Sequence, residues 1–346
     1  MTETTEPPPD TRAGAEARAD TQTAAGTEPA ADIAIGADDL HKTYSSPRGD
    51  VPAVQGIDLA VRRGEFFGLL GPNGAGKSTT IGMLTTLVVP TSGSAQVCGY
   101  DVAKQAVDVK RRIGMVSQNN TLDNDLTAFE NLEFRGRYFG MSARDARRRA
   151  DQLLELFGLT DRRNAGPMEL SGGQAKRLMI CRALVHHPEV LFLDEPTAGL
   201  DPQTRVNLWE VLRELQTAGQ TIVLTTHYME EAEALCDRVA VIDHGKVLAS
   251  GTVGELKDSA GADTVITVAY DGAAPEGVRV LNDRETVTKV EVNDGQVRVF
   301  AHEPDGLLGE LVAIGASAGV GVTDASQLRP SLETVFLTLT GREYRE

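Results

Sequence analysis

Eight consecutive residues, Gly71-Pro72-Asn73-Gly74-Ala75-Gly76-Lys77-Ser78, carry the most legible chemistry of this chain. Their spacing, GxxxxGK[ST], is that of a phosphate-binding loop. Its glycines let backbone N–H groups converge on phosphate oxygens, and a helix starting near Ser78 would point its positive end at them. Lys77 would neutralise β- and γ-phosphate charge, and Ser78, with Thr79 beside it, would offer a hydroxyl to Mg²⁺. Gly71, Asn73, Gly74, Gly76, Lys77, Ser78 and Thr79 are thus the expected nucleotide-binding residues. A chance glycine turn is the plain alternative. Against it stands the context: the apolar run Phe66-Phe67-Gly68-Leu69-Leu70 leads in and a helical run leads out.

A second apolar run ends in Leu193-Asp194-Glu195-Pro196. Asp194 can hold Mg²⁺ through water, and Glu195 can polarise an attacking water as general base. Adjacent acids after a strand are common at surfaces, so the pair gains its meaning from the phosphate loop in the same sheet. Leu170-Ser171-Gly172-Gly173-Gln174 precedes a helix running to about Val185. Ser171 is a natural N-cap, and the glycines leave N–H groups open at the positive helix end, which suits a further anion.

Taken together, these segments resemble the ATP-binding-cassette (ABC) ATPases, and the resemblance runs through most of the stretch from Ile33 to about Leu256. It implies ATP and Mg²⁺ as ligands. It also implies head-to-tail pairing, in which Ser171, Gly172, Gly173 and Gln174 close over the γ-phosphate held by the opposite phosphate loop. Tyr44 falls where the family stacks an aromatic ring on adenine; a core tyrosine is the competing reading. Gln118, after Ile113 to Ser117, matches the Q-loop glutamine, which reaches Mg²⁺ and the attacking water and adjoins the membrane partner. Ala198-Gly199-Leu200-Asp201 matches the D-loop, which places Asp201 across the dimer interface. His227 matches the switch histidine that contacts the γ-phosphate. By this resemblance Glu195, His227 and Gln118 are catalytic, and Ser78, Gln118 and Asp194 hold the metal. The chain has one phosphate loop and one signature, whereas a composite site draws one of each from two chains. The expected working unit is therefore a dimer, with a copy of itself or with a similar chain.

Thr226-His227-Tyr228-Met229-Glu230-Glu231-Ala232-Glu233, followed by Cys236-Asp237-Arg238-Val239, is similar to the exporter branch that includes daunorubicin-resistance and multidrug ATPases. Ser331-Leu332-Glu333-Thr334-Val335-Phe336-Leu337 resembles the end of that branch's small extra domain. The implied function is the ATPase subunit of an exporter, peripheral on the cytoplasmic face of the membrane, driving separate transmembrane permease subunits. An importer ATPase is the alternative. A soluble cassette acting on ribosomes or chromosomes would carry two cassettes or a long coiled coil, and neither is present.

The elements needed to position these residues can be read from patterning. Phe66 to Leu70, Val190 to Leu193 and Ile222 to Leu224 are continuous apolar runs, as expected of strands buried on both faces of a largely parallel sheet. Helices are expected over Ala128 to Phe139 and Ala143 to Phe157, a helical insert within about 119–170. The fold class is α/β, with an ABC-type nucleotide-binding domain at 33–257 and a small α+β domain at 258–346. In the latter, Thr264 to Tyr270 reads as a strand. Thr286 to Val292 and Gln296 to Ala301 read as a hairpin around Asn293-Asp294-Gly295. A helix near Gly306 to Ile314 and a strand near Gly319 to Thr323 follow. After Pro330, Leu332, Val335, Phe336 and Leu339 make a helical stripe that Gly341 would stop.

Composition bounds the remainder. Residues 1–32, rich in Thr, Ala, Glu and Pro, read as a disordered acidic tail. The net charge of -16, from 50 acidic and 34 basic residues, speaks against nucleic acid as a partner. Cys98, Cys181 and Cys236 form no metal-ligand or disulfide pattern. No apolar run reaches the roughly 18 to 20 residues that span a bilayer, and the N-terminus has no secretory signal pattern.

Overall fold

The computed structural model describes residues 32–47, 49–259, 263–302, 304–328 and 331–340. The chain divides into Met1–Asp32 and Ile33–Glu346. The tail expected at 1–32 lies outside the described residues except for Asp32, and so does Gly341.

Three sheets carry the second unit. The middle one holds β3 (Phe66–Leu70), β6 (Ile113–Val116), β7 (Val190–Asp194), β8 (Thr221–Thr226), β9 (Arg238–Asp243) and β10 (Lys246–Thr252). Its order is β10-β9-β3-β8-β7-β6, all parallel except for the antiparallel edge pair β9–β10. Every residue of β3 and β8 is buried, which explains the apolar runs Phe66 to Leu70 and Ile222 to Leu224. The carboxyl ends of β3, β7 and β8 lead into the phosphate loop, Glu195 and His227, where open parallel sheets place their ligands.

A second sheet was not anticipated from patterning. β1 (Ile33–Tyr44), β2 (Val51–Arg62), β4 (Ser92–Val97) and β5 (Tyr100–Asp101) form an antiparallel sheet in the order β2-β1-β4-β5. Register shifts interrupt β1 at Ile33/Ile35, Ala37/Leu40 and Lys42/Thr43. Each shift flips the inward face, so the alternation that would announce a strand is scrambled.

The insert consists of α3 (Ala128–Tyr138) and α4 (Ala143–Leu156), which follow α1 (Lys77–Leu84) and α2 (Ala106–Arg112). Thr127 and Glu130 make a reciprocal capping box at α3, and Ser142 caps α4. Such caps contribute about 1 kcal/mol each. Leu132, Leu153 and Leu154 join one core with β7, β8 and α5 (Gly172–Leu184), so the insert is seated on the sheet. Beyond β7 come α6 (Pro202–Thr217) and α7 (Met229–Leu235), and α8 (Val253–Ser259) follows β10.

The third sheet has the order β12-β13-β11-β14, from β11 (Thr264–Tyr270), β12 (Val287–Asn293), β13 (Gln296–Ala301) and β14 (Val322–Leu328). With α9 (Leu307–Ser317) it encloses its own core. Asp294 and Gly295 both take positive φ in the β12–β13 turn, as a tight hairpin requires. β14 begins later than its apolar residues suggest because pairing with β11 defines it, while most of its side chains are exposed. The last helix, α10 (Leu332–Thr340), does not add to this core. Its Leu332, Val335 and Phe336 enter the core of the parallel sheet instead. Glu233 of α7 anchors it, accepting from the Leu332 N–H at 2.6 Å and from Lys257 of α8 at 2.8 Å.

Candidate nucleotide site

The loop between β3 and α1 is held by its glycines. Gly76 caps α1 with φ of 107°, and a Cβ there would strike the Ala53 carbonyl oxygen of β2. The antiparallel sheet therefore sets how tightly the loop can curl. Lys77, 4% exposed, turns inward and donates to Gly71 O at 2.7 Å and Pro72 O at 3.1 Å. Its Nζ lies 3.8 Å from Glu195 Oε1. Burial lowers the lysine pKa, opposed by Glu195 and Asp194. An ammonium held by loop carbonyls in a dry recess is ready to exchange them for phosphate oxygens.

Opposite the loop, the end of β7 presents both acids. Ser78 Oγ donates to Asp194 Oδ1 at 3.2 Å, and Thr225 Oγ1 donates to the same oxygen. Glu195, 9% exposed, has φ of 46°, uncommon for a residue with a side chain. Thr225 holds it there: the Glu195 N–H lies 3.1 Å from both Thr225 O and Thr225 Oγ1. The strained backbone aims the carboxylate into the cleft. There Gln118 Nε2 donates to Oε2 at 3.2 Å, and His227 Nδ1 lies 3.3 Å from Oε1. Ala53, Asn73, Gly74, Gly76, Lys77, Ser78, Thr79, Gln118, Glu195, Ala198 and His227 line one cleft of about 610 Å³.

Eight sequence-singled residues are absent from that lining. Gly71 and Asp194 are bonded to residues that do line it, Gly71 O accepting from Lys77 and Asp194 Oδ1 from Ser78. Ser171 caps α5, its Oγ accepting from Gln174 N at 3.3 Å, while Gln174 Oε1 accepts from Ser171 N at 3.0 Å. Gly172 is exposed beside them. Gly173 is buried for a reason other than an open N–H: a Cβ there would overlap the Thr204 side chain of α6. Asp201 caps α6, accepting from Thr204 N at 3.0 Å. Within one chain, then, the signature residues and Asp201 stay outside the cleft. Tyr44 is outside it too. It sits at the end of β1, 42% exposed with Lys42 Nζ 5.1 Å from its ring centroid, so it is no core tyrosine.

Two contributors escaped the sequence reading. Ala53 bounds the cleft from β2, and nothing in its type could have signalled that. Thr225 steers both acids, and it had only a weak signal: three of the six residues of the wholly buried β8 are threonines, and residue type alone does not single out Thr225. One further link ties signature to cleft. Lys176 of α5 reaches Ser117 O at 3.4 Å and Gln118 O at 3.3 Å.

The donors suit a nucleoside triphosphate with a hard cation. Among the described residues no group of three His, Cys, Asp or Glu side chains could hold a metal ion. One hydroxyl, one carboxylate and one amide carbonyl suit Mg²⁺, which keeps waters and shares substrate phosphates rather than filling an all-protein cage.

Comparison with known proteins agrees with this geometry. The ABC transporter family pattern matches residues 54–198. A daunorubicin resistance ATP-binding protein of Streptomyces coeruleorubidus is 42% identical over 329 residues, covering 91% of this chain and 98% of that protein. The chain belongs to the ABC transporter family. A linearmycin resistance ATP-binding protein of Bacillus subtilis is 38% identical to this ABC subunit, covering 90% of it and 99% of the relative. A Nod factor export ATP-binding protein of Cupriavidus metallidurans is 43% identical, covering 86% and 95%. Among solved structures, a dimeric ATP-binding cassette in a post-hydrolysis state with ADP and phosphate superposes with a TM-score of 0.59 at 30% identity. It covers 63% of this chain and 98% of that one. The ABC subunit thus has the α/β cassette fold expected of it, and it is an ATP-binding ATPase of a transporter. Among its described residues no helix is long and apolar enough to cross a membrane.

Proposed function

We propose that this chain powers export through separate transmembrane permease subunits, working as one of two cassettes paired head to tail at the cytoplasmic face of the membrane. One observation carries the reading. The cleft gathers the phosphate loop, Gln118, Glu195 and His227, while Ser171 to Gln174 and Asp201 of the same chain line none of it. A second cassette, most simply another copy, would supply those missing residues. The resistance and export names of the relatives favour export over import.

In this reading Lys77 leaves the Gly71 and Pro72 carbonyls and turns to the β- and γ-phosphates. Ser78, Asp194 and Gln118 would hold Mg²⁺, which when bound neutralises phosphate charge. Glu195 accepts a proton from the attacking water, its carboxylate oriented by Gln118 and His227. His227 then reports the γ-phosphate to the end of β8. Tyr44, exposed at its strand end, is placed to stack on a base. Residues 33–257 would act as the motor and 258–346 as an accessory module. The permease would seat beside the Q-loop, on a recess of about 750 Å³ bordered by Leu87, Val107, Arg111, Tyr138 and Phe139.

Affinity purification of the Glu195→Gln chain from membranes, with ATP present, tests this. The expected result is recovery of a multispanning membrane protein in fixed proportion. Recovery of the chain alone, with ATP bound, would refute the transport assignment.

A further inference from the structure

Four residues beyond His227, Glu231 projects from α7 into the interior with 0% exposure. The nucleotide chemistry does not use it. Trp209 of α6, the sole tryptophan of the chain, donates its indole N–H to Glu231 Oε1 at 3.1 Å. The second oxygen, Oε2, closes no hydrogen bond of ordinary geometry. Neither does the hydroxyl of Thr197, itself wholly buried two residues after Glu195. Yet the Thr197 and Thr226 side chains both face this carboxyl. Burial raises its pKa, opposed by Thr226, Thr197 and Trp209 and by the charge of Arg205 on α6. Lys176 of α5 feels its field, as does Cys236 at the end of α7.

A wholly buried acid is costly, and an apolar side chain of similar volume would be cheaper there. Such exceptions call for a reason. Its three neighbours Thr197, Trp209 and Thr226 supply one. Thr197 begins the segment that leads to Asp201, and Trp209 lies on the helix that Asp201 caps. Thr226 immediately precedes His227, and Glu231 is one turn into the helix after it. The first pair belongs to the part that would face a partner cassette; the second belongs to this chain's own cleft. Through Thr197 and Trp209 on one side and Thr226 on the other, the carboxyl touches both parts of the junction.

We propose that Glu231 is a positioning residue for hydrolysis, pinning the Thr197–Asp201 segment and α6 to α7, so that displacement of Asp201 by a partner cassette moves His227 against the γ-phosphate. The proposal rests on the paired-cassette reading and adds the route by which one site senses the other.

The test uses the full chain in ATPase assays, with Glu231→Leu, Glu231→Gln and Trp209→Phe, and with Glu195→Gln as reference. Glu231→Leu is expected to lower kcat about tenfold or more, with KM for ATP within about twofold. Its melting temperature should stay within about 2 °C of the parent's, the cost of the buried acid and the loss of the Trp209 acceptor offsetting each other. A purely structural role would lower both together. Glu231→Gln keeps the acceptor for Trp209 and should retain at least about half of kcat. Trp209→Phe keeps the bulk and loses the donor, so kcat should fall about threefold. In the Glu195→Gln background MgATP should shift Trp209 emission, and adding Glu231→Leu should abolish the shift. Wild-type kcat in Glu231→Leu overturns the proposal, as does a kcat loss matched by lost ATP affinity and a lower melting temperature. If Glu231→Leu does not fold, unchanged kcat in Trp209→Phe overturns it alone. Normal hydrolysis by Glu195→Gln would instead refute the underlying assignment of the cleft.

Discussion

At the start of α1 the cleft's charges are already engaged with one another: Lys77 with Gly71, Pro72 and Glu195, Ser78 with Asp194, Gln118 with Glu195. At the start of α5 the polar groups engage only themselves, Ser171 and Gln174 each bonding the other's backbone. Both ends can attract an anion through open N–H groups and the helix dipole. Only the first has a cation, a base and a cation-binding oxygen set around it. On the proposed reading the difference makes binding and turnover separable: one end would hold the nucleotide, while the other would act only on a nucleotide brought to it.

The sharpest break of that comparison is Glu195→Gln, which should reduce kcat by at least about 100-fold while nucleotide binding persists. Steady-state phosphate release and equilibrium ATP binding measure the two halves. Next comes Ser171→Arg, which should leave ATP affinity within about twofold and reduce turnover by nearly as much as Glu195→Gln, about 100-fold. Lys77→Ala should fail at the other end, in the cleft. Mixing the two inactive chains should then restore part of the activity, because one intact composite site can form between them. Mixtures that stay inactive would mean that the α5 end serves its own chain.

A weaker effect concerns how the insert that carries one end is seated on the sheet that carries the other. His186, just beyond α5, stacks on Phe139 at 3.8 Å between centroids and bonds Ile113 O at 2.9 Å. Burial, with Arg135 and His187 nearby, pushes its pKa down to about 4. The unfolded chain, titrating near roughly 6.5, therefore takes up the proton first. Stability from this group is complete above that value and is lost as the pH falls toward 4. His186→Gln should flatten this part of a plot of melting temperature against pH. The smallest effect is at Cys98, whose thiol burial and Glu189 push up to about 12. Alkylation at pH 8 should leave the native chain's Cys98 unmodified and label it after denaturation.

Much of this was legible in residue order because the relevant signals are local. Phe66 to Leu70 reads as a doubly buried strand, and Ser171 before its glycines reads as a helix start wherever it occurs. The cleft was legible because each contributor ends a strand or opens a helix. What stayed hidden depends on contacts distant in sequence. The bulges of β1 erase its alternation, Ala53 matters only through its carbonyl, and Gly173 answers to Thr204. β14 is defined by β11 more than by its own side chains.

The return of α10 to the parallel-sheet core has a consequence for how the protein is made. Synthesis runs from the N-terminus, and domains often fold as they emerge. Here Leu332, Val335 and Phe336 come long after β3 in the chain, yet they complete a core that began with it. That core is thus sealed only after the whole third sheet has been made, and a nascent chain stalled before Ser331 would present an open apolar seam beside α7. Chaperone capture of such stalled chains, relieved once the last helix is released, would register that timing.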